Sequence, residues 1–154
     1  MDIELQLATW GLLADKLLNK EYDDETKEIV KNISLANINN LKKELNITDD
    51  EVFIPQELKN QKINKKYEYM VSKTEIITEN ALSMWSGIYA ATTSSNEEEL
   101  EKLSGIILAT SIDNIISIIE ELPPSETIYE RKKLIPKNVL DVIGEIYARS
   151  NKKR

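Results

Sequence analysis

The chain has 154 residues, 41% of them hydrophobic and 31% charged, which is enough for one domain with a real core. It contains no cysteine and no histidine, so disulfides, thiolate chemistry, Ser-His-Asp and Cys-His catalysis and histidine-ligated metals are all excluded. A formal net charge of −7 argues against bulk nucleic-acid binding, and four glycines cannot assemble a Gly-rich phosphate cradle.

The first helix is predicted from about Asp2 to Asn19. Leu5, Ala8, Leu12, Leu13 and Leu17 are assigned to one side of it, extended by Trp10 and Leu18. Gly11 weakens this helix by roughly 1 kcal/mol relative to alanine, and a close helix contact is its expected use. A second helix follows the Asp23-Asp24-Glu25 cluster and ends near Leu45, with Ile29, Ile33, Ala36, Leu41 and Leu45 on its face. Asn32, Asn37, Asn39 and Asn40 make it mediocre by propensity, so tertiary packing is expected to hold it.

Thr48-Asp49-Asp50-Glu51 can cap only one turn before Pro55, and Phe53 and Ile54 are expected to plug the core from this connector. A long helix is then predicted near 56–92. Ile63, Tyr67, Met70, Thr74, Ile77, Ala81, Met84, Ile88 and Ala91 keep 4-3 spacing without a slip. Its rise of about 55 Å is long for a compact globule of this size, so a homodimer or an extended bundle with an exposed apolar groove is predicted. Ser72 with Glu75 offers a capping box where the helix could break instead.

The stretch from Asn96 to Leu122 is the most apolar of the chain and is read as a buried central helix. Asn96 with Glu99, or Ser95 with Glu98, caps it, and Pro123-Pro124 stops it. Leu100, Leu103 and Ile107 make one stripe, while Leu108, Ile112, Ile115, Ile119 and Leu122 make a second about 130° away. Thr110, Asp113, Asn114, Ser117 and Glu121 are placed on its polar side, which sets a membrane span aside. A charged connector from Ser125 to Ile135 follows. Pro136 opens a last helix through about Ala148, and residues 151–154 form a frayed basic tail. The expected fold is therefore all-α: one domain over 1–150, a bundle of five or six helices.

Each chemical constellation has a plainer structural account. The acidic clusters Asp23-Asp24-Glu25, Asp49-Asp50-Glu51 and Glu97-Glu98-Glu99 could attract a divalent cation. Each also sits at a predicted helix start, where the dipole alone explains it. No metal or cofactor is assigned. Trp85-Ser86-Gly87 resembles the Trp-x-Gly turn of the helical-hairpin substrates of type VII secretion. It falls inside a helical pattern, however, and no tyrosine has an acid four residues on, so the match is set aside and Trp85 is read as a core or groove anchor. The start, Met1-Asp2-Ile3-Glu4, lacks a basic n-region, and the cytoplasm is the expected location.

Charge asymmetry is more informative. Residues 123–154 carry eight basic and four acidic side chains, a net of +4, leaving −11 on the other 122 residues. A basic arm on an acidic body can meet phosphates or an acidic partner surface. The expected function is a non-enzymatic protein-interaction module: a regulator, inhibitor or immunity-type protein of bacterial or phage origin, binding a protein partner, with nucleic-acid association through the basic C-terminal quarter as the alternative. The candidate partner-binding residues are Trp10, Trp85, Arg131, Lys132, Lys133, Lys152, Lys153 and Arg154. Circular dichroism should show well over half the residues helical, and a substantial strand signal would remove this architecture.

Overall fold

Five helices and no strand form among the described residues, which in this computed structural model are 3–46, 78–93, 97–121 and 133–152. They are α1 (Ile3–Leu18), α2 (Asp24–Leu45), α3 (Thr78–Thr93), α4 (Glu97–Glu121) and α5 (Lys137–Lys152). The expected plugs Phe53 and Ile54, the heptad positions from Ile63 to Ile77 and the break at Ser72 lie outside the described residues. The chain divides into two compact units. One comprises residues 1–21 and 104–154 and the other residues 22–103, with the boundary inside α4 between Leu103 and Ser104.

In the unit of residues 22–103, α2 packs along α3. Asp23 caps α2 from an extended backbone, its Oδ1 accepting the Thr26 N–H at 2.9 Å and the Thr26 hydroxyl at 2.8 Å. Asn46 closes the other end in the left-handed region at φ 50°, its N–H reaching the Lys42 and Lys43 carbonyls. The predicted face is correct in outline, since Ile29, Ile33, Ala36 and Leu41 are buried. The surprise is the rest of the circumference: from Ile29 to Ile38 every residue except Lys31 is buried, asparagines included.

A helix with three buried polar side chains in this stretch survives because each bonds back to its own backbone. Asn32 Nδ2 donates to the Glu28 carbonyl at 2.8 Å, Ser34 Oγ to Val30 at 2.7 Å, and Asn37 Nδ2 to Ile33 at 2.8 Å. Left unsatisfied, each would cost about 1–3 kcal/mol. On α3, Ala81, Ile88 and Ala91 of the predicted stripe are buried, and Leu82, Trp85 and Tyr89 widen it.

In the unit of residues 1–21 and 104–154, α1 differs from expectation. Leu7, Trp10, Leu13, Ala14 and Leu17 are buried, while Leu5 and Ala8 are half-buried and Leu12 is 38% exposed. Of the two apolar edges on this helix, the one carrying Trp10 and Gly11 faces inward. An indole buries more area than a leucine side chain. Gly11 admits the start of α5: a Cβ there would stand 3.1 Å from Pro136 Cδ and 3.6 Å from Ile135 Cα. The expected close contact is therefore with the Leu134–Pro136 turn. The end of α1 is held by Glu21 N donating to the Lys16 carbonyl at 2.8 Å and Lys20 N to Leu17 at 3.1 Å, with Lys20 at φ 56°.

Both stripes predicted for α4 carry buried residues, Leu100 and Ile107 in the first and Ile112 and Ile115 in the second. Ser111 and Asn114 are buried with them, donating to the Ile107 and Thr110 carbonyls at 2.8 and 2.7 Å. Asn114 is thus not on the polar side. Only 28% of the most apolar window of this helix is buried, against nearly all of the middle of α2. α5 begins with the Pro136 carbonyl accepting the Val139 and Leu140 N–H groups at 3.1 Å each. It continues through Lys152, into the stretch expected to fray.

The glycines separate two effects. Gly11→Val should destabilise by about 1–3 kcal/mol, because its methyls must displace Pro136. A Cβ on Gly87 would meet nothing within 4 Å, so Gly87→Ala should stabilise by up to about 1 kcal/mol. Urea unfolding of the two variants checks both signs.

Candidate interaction surface

The two tryptophans offered as partner anchors are interior residues. Trp10 and Trp85 are each 1% exposed, in different units. Trp85 lies mid-way along α3, and its buried indole N–H finds no acceptor among the described residues. As placed, neither indole reaches a surface, so each contributes to its own core. Of the basic candidates, Lys133 is exposed just before α5, and Lys152 is the last residue of that helix. Arg131, Lys132, Lys153 and Arg154 lie outside the described residues.

Among the described residues, four large apolar side chains stand more than a third exposed: Leu12, Ile106, Ile146 and Tyr147. All four belong to the unit of residues 1–21 and 104–154. Two arise from the way α5 packs. Val139 and Ile143 are buried, and the same apolar line continues to Ile146 and Tyr147 after its cover ends. Their signal was present in the sequence as an amphipathic face running to the end of the helix. Ile106 gave no such signal, because it lies off the buried stripe of α4.

Tyr147 is tied down on one side. Its hydroxyl donates to Glu120 Oε1 at 3.3 Å, long for an O–H···O bond and therefore a weak tether. Partial burial raises the phenol pKa above its ordinary value of 10.0, and the negative charge of Glu120 and the hydrogen bond to it push in the same direction. Glu120 and Glu121 end α4 with no basic residue in its last turn, so carboxylates gather at the negative end of the helix dipole. Arg149 is exposed on α5, beyond Tyr147.

Among the described residues no group of three or more carboxylates converges as a metal site would require. By length and composition Glu98–Glu121 is apolar enough to cross a membrane, a test that core helices of soluble proteins also pass. The sequence argument against a span therefore rests on its polar residues, of which Asp113 is exposed, and not on length. Comparison with protein-family models, with curated proteins and with solved structures gives no match.

The raised phenol pKa fixes a pH dependence. The folded state holds the Tyr147 proton to higher pH than the unfolded chain. The contribution is therefore fully present below pH 10.0 and is lost as pH rises through the higher folded value. The stability difference between the native chain and Tyr147→Phe should be flat below that point and shrink above it. In an NMR titration of ring-labelled tyrosine, Glu120→Gln should lower the Tyr147 midpoint without fully restoring it, since burial remains.

Proposed function

We propose that the chain is a non-enzymatic protein-interaction module, a regulator, inhibitor or immunity-type protein of the cytoplasm of a bacterium or its phage, that acts by occupying a protein partner. The observation that carries this reading is the set of large apolar side chains held at the surface of well-formed helices: Leu12, Ile106, Ile146 and Tyr147. Such side chains cost solvation in the free protein and yield it back when a partner covers them. The composition supports the reading independently, because the residue types of most hydrolytic and redox catalysis are missing from the whole sequence. A carboxylate-metal enzyme is the reading that remains on the catalytic side.

The architecture proposed with it is a single domain, a bundle of five or six helices with the 96–122 helix at its centre and a long helix near 56–92. Burial of Leu100, Ile107 and Ile115 supports the first element. The unbroken 4-3 spacing from Ile63 to Ala91 supports the second. The location of the binding energy changes from the sequence expectation: the exposed aliphatic side chains and Tyr147 take the anchoring role that Trp10 and Trp85 cannot fill from inside.

Nucleic-acid association through the basic C-terminal quarter is the second reading, favoured by the net +4 of residues 123–154. One variant divides the two: deletion of residues 151–154 with Arg131, Lys132 and Lys133 neutralised. Under the interaction reading it folds and keeps most of its activity in the host, and the intact chain binds duplex DNA no tighter than micromolar at physiological salt. The acidic body, at −11, repels phosphates within a Debye length of about 8 Å. Tight, sequence-selective binding in a fluorescence-anisotropy titration, lost in the variant and steeply salt-dependent, would establish the second reading.

A further inference from the structure

We infer that α4 bends at Ser104–Gly105, and that this bend, with Tyr22 as a second pivot, lets the two compact units reorient as separate bodies. The inference does not depend on the interaction reading above. Among the described helices α4 alone is shared: residues 97–103 belong to one unit and residues 104–121 to the other. The crossing falls on a Ser-Gly pair, one of the few sequence elements at which helices kink sharply. Between buried Leu100 and buried Ile107 six residues pass without a buried one, and Gly105 and Ile106 at the crossing are exposed. A helix in a protein takes most of its stability from the packing of its apolar face, so little resists bending there.

Packing does not require the glycine. A Cβ on Gly105 would meet nothing within 4 Å among the described residues, in contrast to Gly11. Alanine would fit and would strengthen the helix, so what glycine adds at this position is backbone freedom. Gly87 and Gly144 are equally open, but each lies inside one unit and serves as a control. The chain crosses between the units at one other point, from Glu21 to Tyr22. Both sides of that point are fastened to their own unit. Glu21 donates its N–H to the Lys16 carbonyl at 2.8 Å, and its carboxylate stands 3.7 Å from Lys16 Nζ. Asp23 caps α2 through Thr26. Tyr22 lies between the two fastenings, and its backbone takes up the rotation. A single linker residue and a Ser-Gly step make the arrangement of a hinge, in which a few residues absorb the φ/ψ change.

The chain has no cysteine, so pairs of spin labels can be placed at chosen positions. Lys43→Cys on α2 with Asp141→Cys on α5 reports between the units, and Lys43→Cys with Ser83→Cys on α3 reports within one; all three positions are exposed. Double electron–electron resonance on the full chain should give a distance distribution at least about twofold wider for the first pair than for the second. Gly105→Ala should narrow the first towards the width of the second, while Gly87→Ala and Gly144→Ala leave it unchanged. Circular dichroism confirms that each variant folds. In hydrogen exchange the amides of residues 105–108, whose helical acceptors are the carbonyls of 101–104, should exchange faster than those of 111–115. Gly105→Ala should slow them about fivefold. A first distribution as narrow as the second overturns the inference. So does a wide one that Gly105→Ala leaves unchanged, and so does exchange at 105–108 as slow as at 111–115.

Discussion

Buried polar side chains that bond to their own helix are the constraint on which the unit of residues 22–103 depends. An asparagine or serine inside a core is normally a liability, because its donors and acceptors lose water. In α2 the donors of Asn32, Ser34 and Asn37 return to carbonyls four residues earlier in the chain. A donor of each polar group is then satisfied within the helix itself, without a tertiary partner. That is why α2 can be enclosed on nearly every side with so few apolar residues. The same device at Ser111 and Asn114 joins what would otherwise be two separate apolar stripes on α4.

The other unit relies on close approach. Gly11 lets the turn before α5 lie against α1, which brings buried Ile135 and Val139 towards the α1 core. The entropy that a mid-helix glycine costs is offset by packing that a side chain there would block. The consequence runs along α5. Its first half is fixed by that contact, whereas Ile146 and Tyr147 stand more than a third exposed, Tyr147 with a long hydrogen bond to Glu120.

Much of the secondary structure was legible in the sequence because its signals are local. The Asp23-Asp24-Glu25 cluster ahead of α2 and Pro136 ahead of α5 are short-range chemistry, and the described bounds of both helices fall within a few residues of the expected ones. Facing was less legible. On α1 the sequence offers apolar residues on both edges, and the Leu134–Pro136 turn lies against the edge that carries Gly11. On α4 a hydrophobicity stripe treats Ser111 and Asn114 as polar, which is correct for the side chain and wrong for the side chain bonded to its own backbone. The surface candidates were misplaced for a related reason. Tryptophan is enriched both in binding hot spots and in cores, and composition does not distinguish the two; burial of Trp10 and Trp85 does.

Where charge sits completes the argument. Helix ends usually gather acids at the N-terminus and bases at the C-terminus, and α2 follows that order with Asp24 and Glu25 first and Lys42 and Lys43 last. α4 departs from it by ending on Glu120 and Glu121. A local stability rule broken at the surface, next to exposed apolar side chains, is unfavourable for the isolated helix. The two unfavourable features are also adjacent, joined by the hydrogen bond between Tyr147 and Glu120. A solvated helix end would show the charge without the apolar centre, and a core edge would show the apolar centre without the charge. Their coincidence sets the end of α5 apart from both.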